Sequence, residues 1–391
     1  MSLLKSKVFL ISSSRSDYGI LENLINKLEF NKKFETYLLV TGSHFNKKLG
    51  YSYKKIKLSD KNKLLKLRIK SHGNTIESSL EIMSEIFKKF KFLIKKYNPE
   101  LIIILGDRYE ILPFAIISHF YKIKIAHIHG GELTYGSIDD SIRHSITKFS
   151  DIHFVSNEIY KKRVNQLGEM KHTIHNVGSL ALEKLNKKNL YKKRELQEKL
   201  NFKFLKKNIL IVVHPVTYSD GNNEKYNQIF IERILNSVSK FNDTMLIFSK
   251  PNSDFGYQNI IKKLVNFTEK NSNAILLDNL GSKLFMSLLN NVDMILGNSS
   301  AGIIEAPSFK IPTINIGDRQ KGRLRADSVI DCNLREEEII EKIKIAYSNK
   351  FKNKINNIKN PYFKKNTSDI IIKTLNRKIK EKFKYKEFYD L

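Results

Sequence analysis

The chain has 391 residues, 28% charged and 41% hydrophobic, enough for two or three domains at roughly 150 residues each. No apolar run reaches the about 18 residues of a membrane span, and the single cysteine, Cys332, excludes an internal disulfide and a cysteine-based zinc site. The net charge of +29 invites a nucleic-acid reading, but only 12 of the 69 basic residues are Arg, and the lysines are spread through the whole chain without a helix-turn-helix, zinc-finger or RNA-binding signature. A cytoplasmic protein with neither nucleic acid nor membrane as partner is expected.

VFLIS (8–12) is too short for a signal-peptide core and reads as the first strand. ETYLLVTG (35–42), LIIILGD (101–107), IKIAHIHG (123–130), DIHFVS (151–156) and HTIHNVG (172–178) follow as further strands. Most are continuous apolar runs, as in strands buried on both faces of a parallel sheet. Helical spacing fills 18–30, 75–97, 109–121 and 139–149, with Asn98-Pro99 stopping the second helix. Residues 181–208 are Lys-rich without a buried strand, after which NILIVVHP (208–215), TMLIFSKP (244–251), AILLDNL (274–280), VDMILGNSS (292–300) and PTINIGD (312–318) repeat the pattern. The fold class is α/β, with two doubly wound parallel-sheet domains, 1–180 and 181–365, and a basic helix over 366–388.

Ligands of open α/β sheets sit at the carboxyl ends of the strands. Those positions hold Arg15 and Asp17, His44, Asp107 and Arg108, His129 and Glu132, His214, Ser299 and Ser300 with Gly302, and Arg319. In a chain that uses Lys nearly everywhere, Arg15, Arg108, Arg143 and Arg319 in or beside these loops suggest bidentate work on phosphate or carboxylate.

GNSSAGIIEAP opens a helix after a strand, so its backbone N–H groups and hydroxyls suit a diphosphate, and Glu305 is placed to accept from ribose hydroxyls; the plain alternative is an ordinary N-cap. Neither GxGxxG nor a P-loop occurs. Asp107 is either a general base or a helix cap. The segment HIHGGELTYGSIDDSIRH packs His129, Glu132, Asp139, Asp140, Arg143 and His144 together. His127 and His129, two apart on a strand, share a face, but no convincing further ligand accompanies them, and no metal is expected. His214 before Pro215 either stabilises phosphate charge or is a satisfied core histidine. His72, His119, His153, His172 and His175 read as structural.

The words SSSRSDYG, VTGSH, LGDRYE, HIHGGE with IDDSIRHSITK, HP, GNSSAGIIEAPSF and INIGDRQKGR, in this order over about residues 7–330, resemble the UDP-N-acetylglucosamine 2-epimerases. Arg15-Ser16-Asp17 and Gly106-Asp107-Arg108 stand where nonhydrolysing relatives read R-P-E and G-D-T, so the resemblance is to the hydrolysing branch, which supplies N-acetylmannosamine for sialic acid synthesis. It implies the two-domain GT-B fold with the active site in the interdomain cleft, no cofactor, a homo-oligomer (dimer or tetramer), and elimination of UDP to a glycal followed by rehydration. By resemblance Asp107 and Asp139 are the acid–base carboxylates, and His214 and Arg319 lie near the diphosphate. Ser299, Ser300 and Glu305 hold phosphate and ribose, Phe285 stacks on uracil, and Arg15 faces the phosphates. His129 departs from the family, many of whose members carry a catalytic Glu there. Either His129 takes that role, or Glu132 reaches in, or the set is smaller. Same-branch relatives act on UDP-N,N′-diacetylbacillosamine, and these words do not separate the two sugars. A GT-B glycosyltransferase is a more distant reading.

Overall fold

The computed structural model describes residues 5–46, 51–70, 75–135, 137–185, 187–216, 223–251, 256–278 and 280–390. His72 and Asn279, the latter inside the expected 274–280 strand, lie outside the described residues. The chain forms two units. The first comprises Met1–Glu132, Ile138–Lys184 and Lys364–Leu391, the second Leu133–Ser137 and Leu185–Phe363.

In the first unit β1 (Ser6–Ser12), α1 (Arg15–Glu29), β2 (Phe34–Val40), β3 (Leu64–Lys66), α2 (Ile76–Tyr97) and β4 (Leu101–Leu105) come first. They are followed by α3 (Leu112–Phe120), β5 (Lys124–Ile128), α4 (Ile138–Phe149), β6 (Ile152–Val155), α5 (Glu158–Gln166) and β7 (Ile174–Asn176). The seven strands pair in the order β3-β2-β1-β4-β5-β6-β7, and every pairing is parallel. The period of two explains how an unbroken apolar run such as LIIIL serves. Leu101, Ile103 and Leu105 enter one core, with Leu24 and Leu28 of α1, while Ile102 and Ile104 enter the other, with Phe90 of α2, Phe114 of α3 and Ile146 of α4. The Thr75–Ser78 capping box opens α2, and Asn98, left-handed at φ 48°, ends it before Pro99.

The second unit repeats the plan. Its elements are α6 (Lys193–Leu200), β8 (Lys207–Val212), α7 (Asn223–Val238), β9 (Thr244–Ser249), α8 (Tyr257–Lys270), β10 (Ala274–Leu277) and α9 (Gly281–Leu289). Then follow β11 (Met294–Gly297), α10 (Ser300–Ile304), β12 (Thr313–Ile316), β13 (Val329–Cys332), α11 (Glu336–Tyr347) and α12 (Asn349–Ile355). The order β10-β9-β8-β11-β12-β13 is again parallel. In both sheets the order reverses beside the first strand of the unit, between β1 and β4 and between β8 and β11, so each unit has a switch point of the kind that receives ligands.

The chain then returns to the first unit as α13 (Thr367–Lys378), whose Ile371 and Leu375 join the core of α1. The expected helix over 366–388 is corrected here, because α13 stops ten residues early. The ammonium of Lys124 donates to the carbonyls of Lys378 (2.7 Å) and Ile379 (3.4 Å), groups that a continuing helix would use for itself. Residues 379–390 run on without helix or strand, and the N–H of Tyr389 donates to the carbonyl of Gly168 at 3.0 Å.

Candidate active site

In the first unit, β4 ends into Gly106-Asp107-Arg108. About a quarter of the Asp107 side chain is exposed, and the rest faces α4, where the guanidinium of Arg143 donates to its carboxylate. Arg143 is 1% exposed, and its other nitrogen donates to the Glu132 carbonyl (2.8 Å) and to Asp140 (3.2 Å). One buried cation therefore ties together the loops after β4 and β5 and the first turn of α4. Arg143, expected at the substrate, is thus enclosed here and engaged with Asp107, Asp140 and the Glu132 carbonyl. Asp139, half-buried, precedes Asp140 in that same first turn, where the helix dipole favours carboxylates.

β5 ends at Ile128, and His129 turns out of the strand at φ 68°, its N–H donating to Phe154 at 2.8 Å. His129 therefore lies outside the regular strand that holds His127. The Nδ1 of His129 lies 4.0 Å from the Glu132 carboxylate, which accepts a hydrogen bond from Ser156 at 3.4 Å. Both side chains are nearly enclosed. His127 braces the site from within the sheet: one ring nitrogen meets the Gly106 carbonyl at 2.8 Å, just before Asp107, and the other meets Thr147 of α4 at 3.1 Å.

Two candidates in this unit, Asp17 and His44, are tied into the scaffold. Asp17 folds back to accept from the N–H (3.1 Å) and hydroxyl (2.8 Å) of Ser13, while Ser14 caps α1 by accepting from the Asp17 N–H. His44 is fully buried, with its ring nitrogens 2.8 Å from the Ser12 hydroxyl and 3.0 Å from that of Ser52, so it pins the first two strand-end loops. Arg108 pairs with buried Glu110 at 3.0 Å and keeps a quarter of its side chain in solvent. Arg15 opens α1, half-buried.

Buried imidazoles make stability depend on pH. Burial pushes His44 down to about 4 and His127 to about 3; burial and then the Arg377 and Lys378 charges bring His175 to about 4. Below pH 6.5 the unfolded chain takes up protons at these sites that the folded chain refuses, so stability falls with pH from there downward. Asp151 opposes this, since burial raises it to about 6 and it gains a proton sooner when folded. His144 and His153 are lowered by burial in the same sense, so the imidazoles outweigh the one raised carboxyl and stability falls as the pH drops below 6.5. Urea unfolding is therefore expected to show a lower free energy at pH 5 than at pH 7, and a flat profile would contradict the neutral buried histidines.

In the second unit, the strand-end loops after β8, β11 and β12 meet on Asn298. Its side chain exchanges two hydrogen bonds with the backbone of His214, at 2.7 Å and 2.8 Å, while its carbonyl accepts from Arg319 (3.2 Å) and Gln320 (3.0 Å). Asn298 is thus the organising residue of this half; its place in a strand-to-helix loop was visible in the sequence, its partners were not. Gly297 is obligatory before it: at φ 137°, a Cβ would sit 2.1 Å from the Val212 carbonyl. Gly302 is also required by packing, because a Cβ there would lie 2.5 Å from a methyl of Thr313. Ser299 caps α10 by accepting from the Ala301 N–H at 3.3 Å, and Ser300 stands half-buried as its first residue. Glu305 ends α10, half-buried, and Phe285 on α9 packs partly buried beside Leu284. Among the described residues, no three His, Cys or acidic side chains are grouped as a metal ion would require.

Residues 26–376 match the family profile of UDP-N-acetylglucosamine 2-epimerase. Two relatives are similar along most of their length. The "GDP/UDP-N,N'-diacetylbacillosamine 2-epimerase (hydrolyzing)" of Campylobacter jejuni is 40% identical over 85% of each chain. The "Polysialic acid biosynthesis protein P7" of Escherichia coli is 36% identical over 98% of this chain and 97% of that one. Among solved structures, the Neisseria meningitidis UDP-GlcNAc 2-epimerase bound to UDP-GlcNAc superposes with a TM-score of 0.78 over 95% of this chain and 100% of that one, at 20% identity. The two doubly wound units are those of this GT-B-like fold.

Proposed function

The chain belongs to the UDP-N-acetylglucosamine 2-epimerase family, in its hydrolysing branch, and from that premise we propose that it converts UDP-N-acetylglucosamine and water to N-acetylmannosamine and UDP. The C1–O bond to UDP breaks as the C2 proton leaves, giving a glycal. Water then adds its oxygen to C1 while C2 is reprotonated on the opposite face. A C2–H is barely acidic until UDP departure places positive charge on the ring, so the reaction needs carboxylates beside the sugar and cations on the diphosphate. The observation that carries this reading is the Asp107–Arg143 pair, which holds a carboxylate at a strand end with a fixed orientation and partial exposure.

In this proposal Asp107 and Asp139 transfer protons, with either His129 or Glu132 as the third acid–base group. His214 and Arg319, both hydrogen-bonded to Asn298, act on the diphosphate. Ser299, Ser300 and Glu305 hold phosphate and ribose, Phe285 carries the uracil, and Arg15 supports the phosphates. The Campylobacter relative favours a second reading, the same reaction on UDP-N,N′-diacetylbacillosamine. The relative named for polysialic acid biosynthesis, similar over nearly the whole chain, supports the first.

Incubation of the pure protein with each UDP-sugar, with the released sugar identified by NMR, separates the two readings. In deuterium oxide the product is expected to carry one deuteron at C2. An unlabelled product would exclude elimination through the glycal, and no release of UDP from either sugar would remove the whole proposal.

A further inference from the structure

Asp139, and the Arg143 that holds Asp107, are carried by α4, and α4 is held at its far end by a residue distant in sequence. Lys386, in the irregular segment after α13, donates to the carbonyls of Ser150 (2.7 Å) and Thr147 (3.5 Å), where the helix runs out of its own donors. The same ammonium lies 2.8 Å from both oxygens of Glu169, a carboxylate that is 2% exposed. Lys148 of α4 (2.8 Å) and His153 of β6 (3.0 Å) complete the surroundings of Glu169. Burial alone would push Glu169 up, but His153, Lys386 and Lys148 bring it down to about 2. The aromatic ring of Phe388 lies against Gly168, leaving no room for a Cβ there, and the Tyr389 N–H donates to the Gly168 carbonyl at 3.0 Å. The segment is therefore docked at several points, with Lys386 as its charged anchor.

From that anchor the contacts run back to the chemistry. Thr147, whose carbonyl accepts from Lys386, donates its hydroxyl to the Arg143 carbonyl at 3.0 Å and lies 3.1 Å from His127. Arg143 holds the Asp107 carboxylate, and His127 holds the carbonyl just before it. We infer that Lys386 is a positioning residue for the proposed reaction: by fixing the carboxyl end of α4 against Glu169 it sets where Arg143 presents Asp107. The inference rests on the epimerase reading for its kinetic consequence and on geometry alone for its mechanical one. Without Lys386, Glu169 keeps one ammonium on a half-exposed side chain, and a buried carboxylate short of partners is costly. The cheapest response is for the end of α4 to move. A displacement of about 1 Å near reacting groups costs up to 10²-fold in rate.

The test uses the full-length chain, Lys386→Met, Lys386→Arg, and a chain ending at residue 379. Lys386→Met is expected to lower kcat about 10- to 100-fold, with the Kd for UDP within twofold, because the proposed nucleotide residues other than Arg15 lie in the other unit. Lys386→Arg, which keeps the charge, is expected to recover most of the rate. The shortened chain is expected to regain turnover when a synthetic peptide of residues 380–391 is added. Amide hydrogen exchange over residues 138–149 is expected to quicken in Lys386→Met, a readout independent of any UDP-sugar. Unchanged exchange in α4 would overturn the inference even if the chain acted on no UDP-sugar. A folded Lys386→Met with kcat within twofold of the full chain would overturn it too. If the shortened chain does not fold, Lys386→Met decides.

Discussion

Asp107→Asn is expected to lower kcat by about 10²–10⁴-fold while leaving the Kd for UDP within twofold. Asn keeps the size of the side chain and an oxygen that accepts from Arg143, so the loop after β4 retains its shape. The buried guanidinium retains Asp140 and the Glu132 carbonyl as partners, so its charge is not stranded. What is lost is the group that takes or gives the proton, a loss felt in the transition state and not in the ground state. Ser300→Ala and Glu305→Ala supply the contrast: groups that hold UDP throughout the reaction are expected to raise KM and the UDP Kd with a smaller effect on kcat. Isothermal titration with UDP beside steady-state kinetics checks all three. An Asp107→Asn protein with kcat within threefold of the parent would reduce Asp107 to the residue that leads into the short 3-10 turn at Tyr109–Ile111.

The fold was readable because its central strands are short, apolar and unbroken, a pattern that a parallel sheet covered on both faces explains by itself. β3 and β13 escaped notice for the opposite reason. They are edge strands of three and four residues, LLK and VIDC, and only their pairing with β2 and β12 marks them. The strand-end rule singles out these loops but does not tell which side chains in them face outward. His44, Asp17 and Arg143 have the right chemistry and the right address. Each is instead turned inward by a partner distant in sequence or hidden in a loop: Ser12 and Ser52, Ser13, and Asp107. His127 and Asn298 were missed because a bracing role depends on what lies across the sheet or across two loops, which composition and spacing do not encode. Lys386 sits in a run that reads as basic helix, and only the capture of the α13 carbonyls by Lys124 shows why the chain leaves that path.

The departure at residue 129 leads to the other large effect. His129→Asn is expected to lower kcat by about 10²-fold or more with UDP affinity intact, and Glu132→Gln to lower it less. Asn is the informative substitution because His129 stands at φ 68°, a region that Asn tolerates better than most residues, so the loop survives the change. Glu132 is the more enclosed of the two, with 4% of its side chain exposed against 11% for His129, and its carboxylate faces the imidazole and the Ser156 hydroxyl. A carboxylate so placed orients a ring, while the ring itself has the greater access to solvent. Under that arrangement the imidazole moves the proton and Glu132 holds it in place, which is why removing the imidazole costs more. The reverse ranking, with turnover lost in Glu132→Gln and kept in His129→Asn, would hand the role to the carboxylate. Near-normal turnover in both variants would leave Asp107 and Asp139 as the whole acid–base set, with His129 and Glu132 reduced to packing at the end of β5.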